Sequence, residues 1–352
     1  MTELTTERVS AAPLFSVVVP VYNGACSLAQ TLDSVLQQTW EAYEIIVVND
    51  GSTDATGEII DDYAQRYPDR VQAYHQANAG VSAARNRGVT LARGTWVAFL
   101  DADDVFLPNA LELRARAVAL VSEDTSLLFT DYFTERFQGY VRRMASAGAF
   151  QRLLLAVTES EVDGVHQLSS EFDKELLDLP SCIGTAAVTL RRSVFDEVGD
   201  FDTTKQPSED VDMWHRSQRR HRAAFLDTPT GVYAQYRGAP IKYERIHRER
   251  ASLAKATLQQ GGHSRQERRA LRRRIANAYM SIAYKTRIPQ GDLPGARELL
   301  RRAIWYSPSM VEAWRQLLVA SLPPRLRRIL LGTRYRRTRI ACPGLPGDFY
   351  TR

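Results

Sequence analysis

Over the first hundred residues, apolar positions come in short unbroken runs, and the stretches between the runs carry helical spacing. Phe15-Ser16-Val17-Val18-Val19, closed by Pro20, and Glu44-Ile45-Ile46-Val47-Val48 have the length and content of strands buried on both faces. A weaker strand is expected near Val71-Gln72-Ala73-Tyr74, and Thr95-Trp96-Val97-Ala98-Phe99-Leu100 forms a further buried one. In the intervals, Leu28, Leu32, Val35 and Leu36 within residues 27–38 recur at helical spacing. A second helix should begin near Ser52 or Asp54, both good caps, with Ile59, Ile60 and Tyr63 turned inward. Residues 81–92 predict a short Ala-rich helix. Strands alternating with helices argue for an α/β fold around a parallel, Rossmann-like sheet.

Farther along, Leu127-Leu128-Phe129-Thr130 and Ala186-Ala187-Val188-Thr189-Leu190 read as additional strands, whereas residues 134–180 fit several helices and no motif. From about residue 251 the pattern turns helical and Arg-rich. Residues 291–319 predict a helix pair with its turn at Ser307-Pro308: Ala296, Leu299, Leu300, Ala303 and Ile304 line one face, and Ala313, Trp314, Leu317 and Leu318 the next. The pair resembles one tetratricopeptide-type unit; a single unit makes no solenoid, so a helical cap on the main domain is expected. Pro323-Pro324 breaks the pattern and can open a further short helix. The expected organisation is a flexible tail over 1–14, an α/β domain over 15–250, and a basic helical extension over 251–345.

Charge sharpens that division. The 352 residues carry a net charge of +5, but Arg237 to Arg352 holds 26 Lys/Arg against 7 Asp/Glu. The first 236 residues are correspondingly acidic, which argues against a nucleic-acid reader. The basic part calls instead for an anionic surface, a membrane leaflet or a polyanionic glycan; residues 321–340, with seven Arg and no acid, are the candidate contact. Cys26, Cys182 and Cys342 are too scattered for a metal site and read as reduced thiols in a cytosolic protein. The first fourteen residues lack the apolar core of a signal peptide, and no run approaches the roughly 18 apolar residues of a membrane span. A cytoplasmic protein, peripheral on the inner membrane face if it touches a membrane, is the expectation.

The chemistry gathers where strands end. Asp101-Ala102-Asp103-Asp104 follows a buried strand directly, at the sheet edge where open α/β folds bind ligands. Crowded carboxylates repel one another, and a divalent cation bound to a polyphosphate relieves that repulsion; the same letters also make an acidic corner with no ligand. Asn49-Asp50-Gly51-Ser52-Thr53-Asp54 places a Gly turn and a helix N-terminus together, a setting for an anion, or simply a capped turn. Asn78-Ala79-Gly80-Val81-Ser82-Ala83-Ala84-Arg85-Asn86 starts a helix whose Arg85 can pair with a carboxylate or phosphate.

Taken in order, Pro20-Val21-Tyr22-Asn23, Asn49-Asp50-Gly51-Ser52-Thr53-Asp54, Asn78-Ala79-Gly80, Ala84-Arg85-Asn86 and Asp101-Ala102-Asp103-Asp104 resemble the family 2 glycosyltransferases, inverting enzymes of the GT-A fold. The match is close over 15–110 and resumes at Arg191-Arg192-Ser193-Val194-Phe195-Asp196-Glu197-Val198-Gly199-Asp200-Phe201-Asp202 and at Glu209-Asp210-Val211-Asp212-Met213-Trp214. The resemblance implies a mostly parallel GT-A sheet with a C-terminal helical extension. It implies that Asp50 and Arg85 help hold the base and the strand-tip pocket, and that Pro20, Tyr22 and Asn23 line the nucleoside side. Asp101 is implied near the ribose and metal, and Asp103 as the ligand of Mg²⁺ or Mn²⁺ bridging the diphosphate. Asp104 is a supporting partner or a helix cap.

An inverting transfer needs a carboxylate opposite the diphosphate to take the acceptor's proton, and Asp210 is the expected base, with Glu209 orienting or capping beside it. Burial and a like charge would raise the pKa of such a base. Trp214, four residues on, either walls the acceptor side or packs in the core, the core being favoured; Phe201 reads as structural. Two departures stand out: Tyr236-Arg237 lacks a nearby His, leaving the third metal ligand open with His247 as a distant candidate, and Asp200 stands where a second Gly is usual.

The expected activity is metal-dependent transfer of a sugar from a nucleotide-diphosphate sugar to a hydroxyl of a glycan or lipid-linked acceptor. By resemblance the base is uridine, with guanosine and thymidine open. A catalytically inactive glycosyltransferase-like scaffold recruiting partners through its helical tail is the main alternative, and a nucleotidyltransferase a lesser one, since Pro20-Val21-Tyr22-Asn23-Gly24 carries no basic phosphate-loop residue.

Overall fold

The computed structural model describes residues 13–136, 140–143, 145, 148–172, 183–205, 209–233, 240–262, 264–288, 290–323, 338–340 and 349–351. The chain forms two units, one of Met1–Thr134 with Arg143–Ala234, the other of Glu135–Arg142 with Gln235–Arg352.

In the first unit, β1 (Phe15–Val21), β2 (Tyr43–Asp50), β3 (Val71–Gln76) and β4 (Trp96–Phe99) alternate with α1 (Leu28–Leu36), α2 (Thr56–Arg66) and α3 (Val81–Leu91). After β4 come β5 (Val105–Phe106), α4 (Ala110–Leu120), β6 (Thr125–Arg136), whose last two residues belong to the other unit, as does β7 (Tyr140–Arg143) up to Arg142, and then α5 (Gly148–Val157), β8 (Thr158–Val162) and β9 (Val165–Leu168). The unit ends with β10 (Val188–Arg191), α6 (Val194–Val198), α7 (Glu209–Gln218) and β11 (Arg222–Tyr233). Its strands run β6-β10-β4-β1-β2-β3. β1 is parallel to both β2 and β4, and β2 to β3, so these strands end at a common edge. β10 enters antiparallel between β4 and β6, making the sheet mixed, though parallel through its site-bearing half.

The unbroken apolar runs are explained by burial on both faces. Val18, Ile46, Val48, Val97 and Phe99 join Ala84 of α3 and Met213 and Trp214 of α7 in one core layer. Val17, Val19, Ile45, Val47 and Ala98 join Leu28, Leu32 and Val35 of α1, Ile60 of α2 and Leu111 of α4 in the other. Successive side chains of a strand point to opposite faces, so each strand feeds both layers.

Several boundaries differ from the sequence reading. β1 runs through Pro20 to Val21, because the β1–β4 pairing ends at Val18↔Phe99 and only β2 continues alongside, so the missing N–H of Pro20 falls beyond that ladder. Ala186 and Ala187 sit in a 3₁₀ turn, Thr185–Ala187, and the strand begins only at Val188. Neither Ser52 nor Asp54 is the helix cap; α2 starts at Thr56, and the Asp54 carboxylate accepts from the Thr56 amide and hydroxyl. The expectation for residues 1–14 lies outside the described residues apart from Pro13 and Leu14.

The second unit is largely helical, with α8 (Pro240–Gln260), α9 (Arg265–Ile282), α10 (Leu293–Tyr306) and α11 (Val311–Ser321), and β7 pairs there with a short strand at Phe349–Thr351 that also pairs with Thr338–Ile340. Ala251, Ile275, Tyr279, Ile282, Leu299, Leu300 and Ala313 form its core. The sequence-derived boundary at residue 250 falls inside α8. The helix pair forms with its turn at Ser307-Pro308, and Asp292 caps α10 by accepting from the Gly295 amide at 2.9 Å. The inward face of α11 differs from expectation: Ala313, Gln316 and Ala320 are buried, whereas Trp314 (52% exposed) and Leu318 (64%) face outward. Most of the 321–340 segment, including Pro324, lies outside the described residues.

α3 lies close on the sheet because Gly88 has no side chain. A Cβ there would fall 2.3 Å from Val18 Cγ1, in the middle of β1. Gly88→Ala is expected to lower unfolding stability by about 1–3 kcal/mol through overpacking, and pairing it with Val18→Ala should recover part of that loss in urea denaturation.

Candidate active site

The carboxyl ends of β1, β2 and β4 bring Tyr22-Asn23, Asp50-Gly51 and Asp101–Asp104 to one edge, as their sequence positions led us to expect. The first two loops are laced together. Asn23 sits at φ 52°, its amide donates to Ser52 Oγ at 3.0 Å, and its side-chain oxygen accepts from the Thr53 amide at 2.8 Å. Gly24 N donates to Thr56 Oγ1 at 2.9 Å, and Ala25 N to Asp54 Oδ2 at 3.2 Å. The hydrogen bonds from Thr56 hold the Asp54 carboxyl below its usual range. Tyr22 projects outward, 54% exposed, and Pro20 is buried in β1.

Asp50 is buried and committed to the neighbouring chain. Its carboxylate accepts from Gln76 Nε2 (2.8 Å), Ala79 N (2.9 Å) and Gly80 N (2.8 Å), while Asn78 Nδ2 donates to its carbonyl (2.9 Å). This fixes the turn that starts α3. Gly51, at φ 72°, allows the approach, since a Cβ there would lie 2.6 Å from Asn78 N. A carboxylate has about four acceptor positions, so Asp50 retains capacity for one more hydrogen bond.

Arg85 organises the rest. It is 3% exposed, and its two terminal nitrogens donate to different carboxylates: Nη2 to Asp101 Oδ1 at 3.0 Å and Nη1 to Glu209 Oε1 at 2.9 Å. Its Cζ lies 5.7 Å from the centroid of the Phe201 ring. Burial disfavours the guanidinium charge, but the negative charges of Asp101, Glu209 and Asp210 outweigh it and raise the pKa. The Glu209 carboxyl is raised by burial first and the neighbouring Asp210 charge second, against the pull of Arg85. Both partners thus rise, for different reasons: Arg85 faces three carboxylates, whereas Glu209 is desolvated beside another acid.

Asn86 and Ser82 extend the hold. Asn86 exchanges hydrogen bonds with the Phe201 backbone in both directions, each 2.9 Å, and Ser82 Oγ donates to the Asp202 carbonyl at 3.3 Å. Arg216 Nη2 donates to the Asp200 carbonyl at 2.7 Å, so the turn bearing Asp200 is tied back to α7. Asp210 is half-buried in the first turn of α7, where the helix dipole favours negative charge, and its Oδ1 accepts from Val211 N at 2.7 Å.

The acidic turn is held from below. Thr31 Oγ1 of α1 donates to the carbonyls of Ala102 (3.0 Å) and Asp104 (2.8 Å), and the Asp104 amide donates to the Asp101 carbonyl at 2.9 Å. Asp104 is buried; Asp101 and Asp103 are half-buried. Tyr233, at the end of β11, belongs here as well. Its phenol is pushed well up by burial, then by the charges of Asp104 and Asp101, with smaller contributions from Tyr132 and Asp103. Arg114 helps anchor β11, donating to Thr230 Oγ1 at 3.0 Å and to the Ala186 carbonyl at 2.8 Å; burial pulls its guanidinium down to about 9.

Trp214 takes the core position favoured from the sequence. At 1% exposure it packs against Phe99 and Phe201, ring centroids 6.4 and 6.1 Å away, and belongs to the core rather than to an acceptor wall. Phe201 is structural, as expected. The Tyr236-Arg237 element lies outside the described residues. The sequence reading missed Thr31, Asn86 and Tyr233; Asn86 stands in the Ala84-Arg85-Asn86 string, whereas Tyr233 reaches the site only by the pairing of β11 with β5, Val232 opposite Val105.

A divalent cation at this edge would draw on Asp101 and Asp103 together with oxygens of a ligand. Asp101 and Asp103 supply hard carboxylate oxygens, and among the described residues no group of three His, Cys, Asp or Glu side chains could hold a metal ion. Two carboxylates with phosphate oxygens completing the shell is the usual arrangement for Mg²⁺.

The family model described as Glycosyl transferase family 2 matches residues 16–199. The uncharacterized glycosyltransferase YibD of Escherichia coli (strain K12) is 50% identical over 97 residues, 28% of this chain and 28% of the relative. The uncharacterized glycosyltransferase EpsJ of Bacillus subtilis (strain 168) is 50% identical over 92 residues, 26% of each chain. The chain therefore spans about a quarter of the length of these curated relatives. Among solved structures, S. aureus TarS 1-349 in complex with UDP-GlcNAc aligns with a TM-score of 0.51 at 14% identity, covering 95% of this chain and 98% of that one. The mannosyltransferase PcManGT from Pyrobaculum calidifontis, in complex with GDP-Man and Mn²⁺, aligns with a TM-score of 0.51 at 20% identity, covering 89% of this chain and 80% of that one. At these identities the likeness is one of fold, the GT-A fold.

The raised Glu209 carboxyl has a signed consequence. The folded state holds this proton more tightly than the unfolded state, so the Glu209 contribution to stability falls as pH rises from the ordinary glutamate range through the raised value. The stability of the wild type relative to Glu209→Gln should therefore decline across that window in denaturant titrations; a difference independent of pH would contradict the assignment.

Proposed function

The chain belongs to glycosyl transferase family 2, and on that premise we propose that it moves a sugar from a nucleotide-diphosphate sugar to a hydroxyl of a glycan or lipid-linked acceptor, with inversion at the anomeric carbon. The observation that carries the proposal is the convergence of Asn23, Asp50 and Asp101–Asp104 on one sheet edge, with Arg85 joining Asp101 to the start of the helix bearing Asp210.

In this reading Pro20, Tyr22 and Asn23 border the nucleoside, and Asp50 offers its remaining acceptor position to the base. Arg85 acts as a positioning residue: with both terminal nitrogens engaged, it holds Asp101 and Glu209 in place. Asp103 and Asp101 would hold Mg²⁺ or Mn²⁺, which when bound supplies positive charge to the departing diphosphate. Asp210 accepts the proton of the acceptor hydroxyl as its oxygen bonds to the anomeric carbon and the bond to the diphosphate oxygen breaks. The electron pair of that broken bond leaves with the nucleoside diphosphate. Glu209, paired with Arg85, orients the first turn of α7 and leaves the proton transfer to Asp210.

Uridine is the base favoured by the sequence resemblance. The two structural neighbours carry UDP-GlcNAc and GDP-Man, so the base is a matter for measurement. No helix among the described residues is long and apolar enough to cross a membrane. Peripheral attachment to an anionic leaflet through residues 321–340 stays part of the proposal, and no nucleic-acid partner is expected.

Thermal unfolding against UDP, GDP and dTDP, each with and without Mn²⁺, tests the donor site. A ligand at 100 times its Kd stabilises by about 2.7 kcal/mol, so one nucleotide should raise Tm in a metal-dependent way, and Asp103→Asn should abolish the rise. Silence with every nucleotide would refute the proposal. With the matching donor, Asp210→Asn is expected to keep nucleotide binding while turnover falls on the order of 10²–10⁴-fold; unchanged turnover would remove Asp210 as the base.

A further inference from the structure

The second unit carries a cationic groove that the proposed reaction does not use. Arg265, Arg268, Arg269 and Arg272 of α9 line one wall, and Tyr306, Ser307, Pro308 and Ser309, at the turn between α10 and α11, line the other. The groove encloses about 630 Å³. The arginine spacing is i, i+3, i+4, i+7, which places all four on one helix face, while Ile275, Ala276, Tyr279 and Ile282 turn into the core.

All four arginines are exposed, and among the described residues none is paired with a carboxylate. The described acids of this unit are engaged elsewhere: Glu244 with Arg248 and Arg287, Asp292 with Arg287, Glu298 with Arg302, and Glu312 with Arg315. Like charges at i, i+4, here Arg265 with Arg269 and Arg268 with Arg272, repel and destabilise a helix. An anion in the groove removes that penalty. Lys255 adds to the field, its Nζ lying 5.7 Å from the Tyr306 ring centroid.

The opposite wall suits a ligand bearing hydroxyls and sugar faces. Ser307 and Ser309 present hydroxyl groups. Tyr306 is the aromatic residue of the lining; outside it, Trp305, 75% exposed, stands edge-on to Tyr306 with centroids 4.7 Å apart, and Trp314 donates Nε1 to the Pro308 carbonyl at 2.9 Å. Arginine forks bind phosphoryl oxygens two at a time. Seven residues of helix span roughly 10 Å, enough to meet more than one phosphoryl group of an extended chain, and a concave groove admits a chain where a flat bilayer would bridge its rim.

We propose that this groove is a binding site for the phosphoryl groups of a polyanionic, phosphate-linked chain, separate from the donor site. The test is fluorescence anisotropy of labelled inorganic polyphosphate with the full chain at about 0.15 M salt, where the Debye length is about 8 Å. Wild type should bind. Arg268→Ala/Arg272→Ala should weaken binding at least tenfold and lower the slope of log Kd against log salt by about 1.5, the loss of two phosphate contacts. Arg301→Ala/Arg302→Ala, an equal loss of charge outside the groove, should stay within twofold. Equal weakening in both double variants would reduce the effect to net charge and overturn the proposal. So would wild type that ignores polyphosphate, including a wild type that instead binds vesicles of phosphatidylglycerol and phosphatidylcholine in a groove-dependent way. Because the donor site is untouched, the Mn²⁺-dependent nucleotide shift should persist in both double variants, so failure of the groove is read apart from failure of the transferase reading.

Discussion

The buried guanidinium of Arg85, shared between Asp101 and Glu209, is the interaction on which the site depends. It joins the turn after β4 to the first turn of α7 across more than a hundred residues of sequence. Removing such a cation from water is expensive, and a single carboxylate seldom repays the cost. Here the charges of Asp101, Glu209 and Asp210 together keep it ionised. The planar fork of arginine matters, because two terminal nitrogens reach two carboxylates in fixed directions, which a lysine ammonium at the end of a flexible stem does not reproduce. Asn86 and Ser82, one helical turn apart, reinforce the same connection by gripping the backbone at Phe201 and Asp202. α3 is thus the strut that sets the distance between the acidic turn at Asp101–Asp104 and the first turn of α7.

The electrostatics of this edge follow from crowding. Asp101, Glu209 and Asp210 face one buried arginine, and burial followed by the charges of Asp104 and Asp101 makes Tyr233 a phenol that resists ionisation. A sheet edge with more carboxylates than cations favours a positive ligand, and Asp101 and Asp103 are the half-buried acids of its turn. In the second unit the imbalance has the opposite sign. There the described acids are taken up by other arginines, and the α9 face is left with four cations and a groove. The charge asymmetry along the sequence thus divides between the units, with surplus carboxylates at the sheet edge of the first and surplus arginines on the α9 face of the second.

Much of the first unit was legible because its strands are buried on both faces, which makes runs such as Val17-Val18-Val19 and Ile45-Ile46-Val47-Val48 unmistakable. The strand tips were legible for the same reason: polar residues that directly follow such a run must lie at the sheet edge. Arg85 was expected to pair with a carboxylate or a phosphate, and it meets two carboxylates. Features set by distant pairing were not legible. Tyr233 reaches the acidic turn through β11 and β5, and the role of Thr31 depends on α1 packing beneath residues 101–104; neither contact has a local signature. On α11, Trp314 and Leu318 matched the helical period yet face outward, because small residues, Ala313 and Ala320, fill the narrow inner face. Apolar identity indicated burial there, and close packing overruled it.

A double-mutant cycle on Arg85→Met and Glu209→Leu, read by equilibrium denaturation, tests the central claim most directly. The account predicts a coupling energy within the upper part of the range for contacting residues, about 1.5–3 kcal/mol, with the double variant more stable than the sum of the single losses because the unpaired buried charge at Glu209 is removed together with its partner. Additive losses would contradict it, and would mean that α7 and the acidic turn are held in place by packing alone.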